Sequence, residues 1–225
     1  MRAEDWSAGR RNAGLTQVQA AKALGVSQPY LSQLENGSRS ADAALVGKAA
    51  ELYRLGPSVL PLRKPDETQA LGPEVLEKEL AGLGYPRFAH VSSAEKRNPA
   101  EVVFGAVVQR DLDTRLIEAL PWVMSTYTDL DWPWLRDNAK LRNAQNRLGY
   151  LVCLAKELAG LKATDTLAAW EQELEDARLA REDTLCRESM SEAERRWLKA
   201  HRPPPAEHWN LLTSLTVEQL PYAAS

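Results

Sequence analysis

Gln17, Gln28 and Gln33 stand out in this 225-residue chain as amides placed to meet the edges of base pairs. A glutamine amide presents a donor beside an acceptor, which matches the N7 acceptor and N6 donor that adenine shows in the major groove of DNA. Such reading needs a glutamine at the leading end of an exposed helix, and the segment 27–35 provides one. Ser27 is suited to cap it, and Pro29 falls in its first turn, where no amide proton is required. Leu31 and Leu34 face inward. Gln28, Pro29, Tyr30, Ser32 and Gln33 therefore face out, with Gln28 first in line for a base edge. Gln17 stands in the first turn of the preceding helix, where free amides and the helix dipole favour a phosphate.

The elements that must hold these side chains are equally legible. Thr16 and Gln19 form a capping box at the start of one helix. Val18, Ala21 and Leu24 recur at helical spacing and predict its inner stripe. Gly25 ends that helix, because glycine takes the left-handed conformation at little cost. Val26 and Leu31 occupy the two positions of a hydrophobic staple around the Ser27 cap. Asn36-Gly37 closes the second helix. A helix over 3–12 is expected to carry Arg10 and Arg11 towards the DNA backbone. A fourth is expected over 41–53, with Leu45, Ala49 and Leu52 inward. Leu55-Gly56-Pro57 stops it, and a short last turn starts at Ser58.

Residues 6–62 resemble the Cro/C1-type, or xenobiotic-response-element, helix-turn-helix family. The shared residues are Leu15-Thr16-Gln17, Ala20-Ala21, Leu24-Gly25-Val26-Ser27, Leu31-Ser32 and Leu34-Glu35-Asn36-Gly37. The resemblance implies a compact domain of about five helices that binds operators as a dimer. By position it places Gln17, Gln28, Pro29 and Gln33 on the base-contacting face, with Tyr30 and Ser32 beside them. It places Ser27, Asn36 and Arg39 near phosphates, together with Thr16, Arg10 and Arg11. Pro29 departs from the usual polar residue, which limits it to apolar contact such as a thymine methyl.

Charge is unevenly distributed. Residues 1–64 hold nine Lys/Arg and five Asp/Glu, whereas the remainder holds 19 basic and 26 acidic groups. Phosphate attraction is local under salt screening, so a basic first domain can bind DNA beside an acidic neighbour. No apolar run approaches the ~20 residues of a membrane span. The N-terminus lacks the apolar core of a signal peptide, and the two cysteines, Cys153 and Cys186, sit outside any paired motif. A cytoplasmic location is expected, with no membrane association. The polar, proline-bounded stretch 63–71 reads as a linker between a DNA-binding domain over 1–62 and a helical domain over 72–225. The fold class expected is all-α throughout.

In the second domain, Asn98 and Asp131 are expected to cap helices with prolines in their first turns. Pro121 predicts a break or kink in the helix around it. The segment 138–161 reads as the longest helix, 164–187 as another, and Ser191 with Glu194 as a second capping box. Cys186 is placed on a polar helix face. His90, His201 and His208 lack metal-site spacing, although the last two flank a proline triplet and could converge. Asp129 and Asp131 beside Trp132 and Trp134 lack a partner base or nucleophile. No nucleophile elbow or phosphate-cradling glycine loop occurs. These observations predict no catalytic residues, no metal and no cofactor, hence a regulator rather than an enzyme.

Six of the seven tryptophans lie in the second domain, where most should be core. Trp132, Trp134, Arg142 and Arg147 are the candidates for a partner surface. The whole reads as a sequence-specific repressor on a palindromic operator, working as a homodimer. Its second domain either masks a cognate toxin, as in autoregulating antitoxins, or holds a small-molecule pocket. An enzyme fused to a DNA-binding domain is the remaining reading, and no motif supports it.

Overall fold

The computed structural model describes residues 1–66, 71–92, 96–159 and 164–221, which fall into two compact units, Met1–Leu62 and Arg63–Ser225. The fold is all-α: among the described residues the only strands are two of two residues each.

The first unit contains α1 (Ala3–Asn12), α2 (Gln17–Leu24), α3 (Gln28–Glu35), α4 (Ala43–Leu52) and a 3₁₀ turn at Pro57–Val59. Its core gathers Trp6, Ala20, Ala21, Leu24, Leu31 and Leu34 with Val46, Ala49 and Tyr53. Local chemistry sets the boundaries. Thr16 and Gln19 form the expected box at α2, Gly25 ends α2 at φ +72°, and the Ser27 side chain accepts from the Tyr30 amide at the start of α3. Two inner stripes differ from expectation. Val18 is 68% exposed, and α2 turns Ala20 inward beside Ala21 and Leu24. In α4, which Asp42 caps, Val46, Ala49 and Ala50 are buried while Leu45 and Leu52 are only half-buried. Two of the three buried residues in each helix are alanines, whose small side chains let packed helices approach closely.

The second unit runs through α5 (Pro73–Gly82), α6 (Pro99–Val107), α7 (Thr114–Thr126), α8 (Trp132–Leu141), α9 (Gln145–Ala159) and α10 (Thr164–Glu175). Then follow β1 (Asp183–Thr184), α11 (Glu192–His201), α12 (Pro204–His208), β2 (Leu211–Leu212) and a 3₁₀ turn at Val217–Gln219. The two strands pair in parallel, Asp183 opposite Leu211 and Thr184 opposite Leu212. Helix α9 is the centre, packed against α7 and α10. Residues 63–66 are tied into this unit: the Arg63 amide donates to Glu101, and Arg142 pairs with Asp66. Residues 67–70 of the expected linker lie outside the described residues.

The Asn98, Asp131 and Ser191 caps form as expected. Four other expectations are corrected. α7 continues unbroken through Pro121, whose ring is buried beside Leu120, Val123 and Met124, so packing outweighs one lost backbone bond. The segment 138–161 is divided by a turn in which Asn143 takes φ +56°, a conformation asparagine tolerates. Helix α10 stops at Glu175, and the chain to 190 is irregular apart from β1. Cys186 lies on no helix: it sits in that irregular stretch, fully buried at φ +51°, with its Sγ 3.5 Å from the Ala106 carbonyl.

Candidate nucleic-acid interface

Helices α2 and α3 present the predicted reading side chains, and a row of hydrogen bonds from the core sets their positions. Arg10 on α1 meets Glu35 at the end of α3: Nε lies 2.5 Å from Oε1 and Nη2 lies 3.0 Å from Oε2. The third arm of Arg10 donates to the Leu15 carbonyl at 2.9 Å. Glu35 Oε2 also accepts from Gln17 Nε2 at 2.8 Å, and Gln17 Oε1 accepts from Gln28 Nε2 at 2.8 Å. The row therefore runs from Arg10 through Glu35 and Gln17 to Gln28, across α1, α2 and α3.

Burial pushes the Glu35 carboxyl up, but the hydrogen bonds from Arg10 and Gln17 prevail and hold it below the usual carboxylate range. The same bond raises Arg10 further above its ordinary value. Both stay charged at neutral pH, so the anchor at the root of the row is permanent.

The bookkeeping of donors assigns the work. Gln28 spends one N–H on Gln17 and keeps its second N–H and its Oε1, the pair that adenine N7 and N6 require. Gln17 spends its oxygen and one N–H, so one donor remains to it. Pro29 and Gln33 are exposed and Ser32 is half-exposed, all on the outer side of α3. Tyr30 departs from the expected outward position. Its ring packs partly on the unit's core, its hydroxyl reaches the Ser40 carbonyl at 3.5 Å, and the Arg39 guanidinium lies 6.0 Å from its ring centre.

Among the phosphate candidates, Arg11, Asn36 and Arg39 are exposed. Ser27 accepts from Tyr30 and retains its hydroxyl proton to donate. Two candidates are corrected. Arg10 does not face outward: its side chain is 13% exposed and is held by Glu35 and Leu15. Thr16 has no donor to spare, since its amide and hydroxyl both donate to Gln19 Oε1 at 2.9 Å. The amides of Gln17 and Val18 begin the helix beyond it, without an intrahelical partner by the geometry of any helix start.

The partner-surface candidates in the second unit disperse. Trp132 is 5% exposed, stacked on Trp170 at 4.6 Å, and donates to Glu173. Arg147 is buried, with Nε and Nη2 both 2.8 Å from the Asp183 carboxylate. Trp134 is half-buried against Phe104, and only Arg142 is exposed. His201 contacts the Trp197 carbonyl while His208 pairs with Glu175, so these two do not form one site. Among the described residues no cluster of metal-binding side chains occurs, and no helix is long and apolar enough to cross a membrane.

No curated protein and no solved structure matches the chain. A helix-turn-helix family model matches residues 8–60, the span that contains the Arg10 to Gln28 row and the whole of α2 and α3. Residues 8–60 are thus a helix-turn-helix domain of the Cro/C1 type, and the chain that carries it is a DNA-binding transcriptional regulator.

Proposed function

We propose that this regulator is a sequence-specific repressor that binds a palindromic operator as a homodimer. Helix α3 enters the major groove, Gln28 pairs bidentately with an adenine, and Ser32 and Gln33 read neighbouring positions. Pro29 contacts a thymine methyl. Gln17 positions Gln28 and gives its remaining N–H to a phosphate, while Ser27, Asn36, Arg39 and Arg11 hold the backbone. The observation that carries this reading is the Gln17–Gln28 hydrogen bond, which orients the Gln28 amide before DNA arrives. The test is selection of bound sites from random DNA, followed by titration of the selected site. Gln28→Ala is expected to cost about 1–3 kcal/mol on that site and to leave random-sequence affinity unchanged. An equal loss on both would remove Gln28 from sequence reading. Two half-sites about 34 Å apart in the selected DNA would support the dimer.

For the second unit, a small-molecule effector is the better-supported role. A cleft of about 290 Å³ opens on its surface, lined by apolar and polar side chains in comparable share. The surface expected to mask a toxin has lost Trp132 and Arg147 to internal contacts. The effector reading is tested by titrating operator binding against candidate ligands.

A further inference from the structure

The cleft in the second unit has a floor of Ile117 from α7, Leu185 and Met190 from the irregular stretch, Leu198 from α11, and Leu212 and Leu215 beyond. All six are buried. Its rim is polar and includes Thr114, Glu118, Arg187 and Ser214.

Both walls are fixed by backbone hydrogen bonds. On one side, the Leu112 amide donates to the Cys186 carbonyl at 2.9 Å and the Glu188 amide to the Arg110 carbonyl at 3.0 Å. The Ser189 amide reaches the Asp111 carboxylate at 2.8 Å. On the other, β2 is paired to β1, and the Tyr150 hydroxyl donates to the Leu215 carbonyl. A cleft held this way is formed before any ligand arrives, which lowers the ordering cost of binding.

Two charged residues stand at the rim, and their partners distinguish them. Glu118 is 15% exposed and held by Arg87 at 2.6 Å. Arg187 is 58% exposed, and its partner Glu194 lies 3.0 Å away. Glu194 has other bonds: its Oε2 accepts from the Ser191 amide at 2.8 Å and from the Ser191 hydroxyl at 2.9 Å. Losing Arg187 would leave Glu194 satisfied by its helix cap. An exposed pair of this kind is worth ~0–1 kcal/mol, so an incoming anion can replace Glu194 on Arg187 at small cost. Arg187 is the exchangeable charge of the rim, and it sits over an apolar floor.

We propose that this cleft binds a small apolar monocarboxylic acid, with the hydrocarbon on the leucine and isoleucine floor and the carboxylate on Arg187. Glu118 disfavours a second acidic group at the opposite edge. The volume, at the lower end of ligand pockets, suits a small molecule rather than a peptide segment. The site deepens the effector reading above and rests on it for its regulatory meaning, though not for binding itself.

The test uses the full-length protein in calorimetric titrations with octanoate, 1-octanol and octylamine as probes of one chain length and three head groups. Octanoate is expected to bind best, about fivefold more tightly than 1-octanol, with octylamine weakest. Arg187→Gln should erase the preference for octanoate over 1-octanol. Ser214→Trp, at an exposed rim position that the fold does not depend on, should weaken all three probes without changing the melting temperature. The inference is overturned if octanoate does not bind, if the three head groups bind alike, or if both variants bind octanoate as the parent does. Operator titrations at saturating octanoate test the regulatory reading separately. Unchanged DNA affinity with the cleft occupied would refute an effector role for this acid class while leaving the binding site standing.

Discussion

Glu35 receives three hydrogen bonds, two from Arg10 and one from Gln17, and this makes its two neighbours in α1 do opposite things. Arg10 holds the fold, whereas Arg11 faces solvent. Arg10→Met should cost about 3 kcal/mol in denaturant unfolding, because it leaves a carboxylate that is 6% exposed without its cation. The salt slope of DNA binding should not change. Arg11→Ala should weaken all sequences alike and lower that slope by about one. Acid provides a second check on the pair. The folded-state value of Glu35 is depressed, so its contribution is complete above the ordinary glutamate value and is lost as pH falls through the lowered one. Acid unfolding of the first unit should therefore become shallower in Glu35→Gln. The position of Gln28 at the start of α3 was legible in the sequence because helix caps are local. The Arg10–Glu35 pair was not, since 25 residues separate the partners and an arginine near a helix end reads as surface charge.

At the scale of elements, the polar start of α9 explains how a helical unit holds a long irregular stretch. Asn146 receives the Leu179 amide at 2.8 Å and donates to the Leu179 carbonyl at 2.9 Å, while Gln145 donates to the Ala177 carbonyl at 3.2 Å. Arg147 adds Asp183 and the carbonyls of Val107 and Gln109. A row of three polar residues looks like a solvated helix face by periodicity alone. It is buried here because unpaired backbone groups elsewhere in the chain need those donors and acceptors. The reading of 138–161 as one helix holds over Gln145–Ala159 but missed the Asn143 turn, where one residue at positive φ outweighs the continuing pattern. One close approach is tested directly. A Cβ on Gly149 would lie 2.5 Å from the Trp209 ring, and Trp209 is 1% exposed with no room to yield. Gly149→Ala should destabilise by about 1–3 kcal/mol, visible as a lower melting temperature.

For the molecule as a whole, the boundary at Leu62 separates a basic unit that meets DNA from an acidic one with a cleft. The contrast in charge is legible in composition, while the cleft arose from the irregular stretches that periodicity does not describe. The second unit also encloses both thiols. Burial pushes Cys153 and Cys186 up to about 11, and no disulfide joins them. The native protein should react slowly with a thiol reagent at pH 8, and denaturant should release two fast-reacting groups. The hydrogen-bonded row in the first unit has a wider consequence. Because Gln28 is tied through Gln17 and Glu35 to an arginine of the core, a substitution at Gln17 or Glu35 reaches both the proposed reading amide and the packing of the domain. Ser32 and Gln33 carry no such tie. Under the proposed reading, base preference can be re-specified at the positions Ser32 and Gln33 face by changing those residues alone, whereas Gln28 draws its orientation from a partner that must change with it.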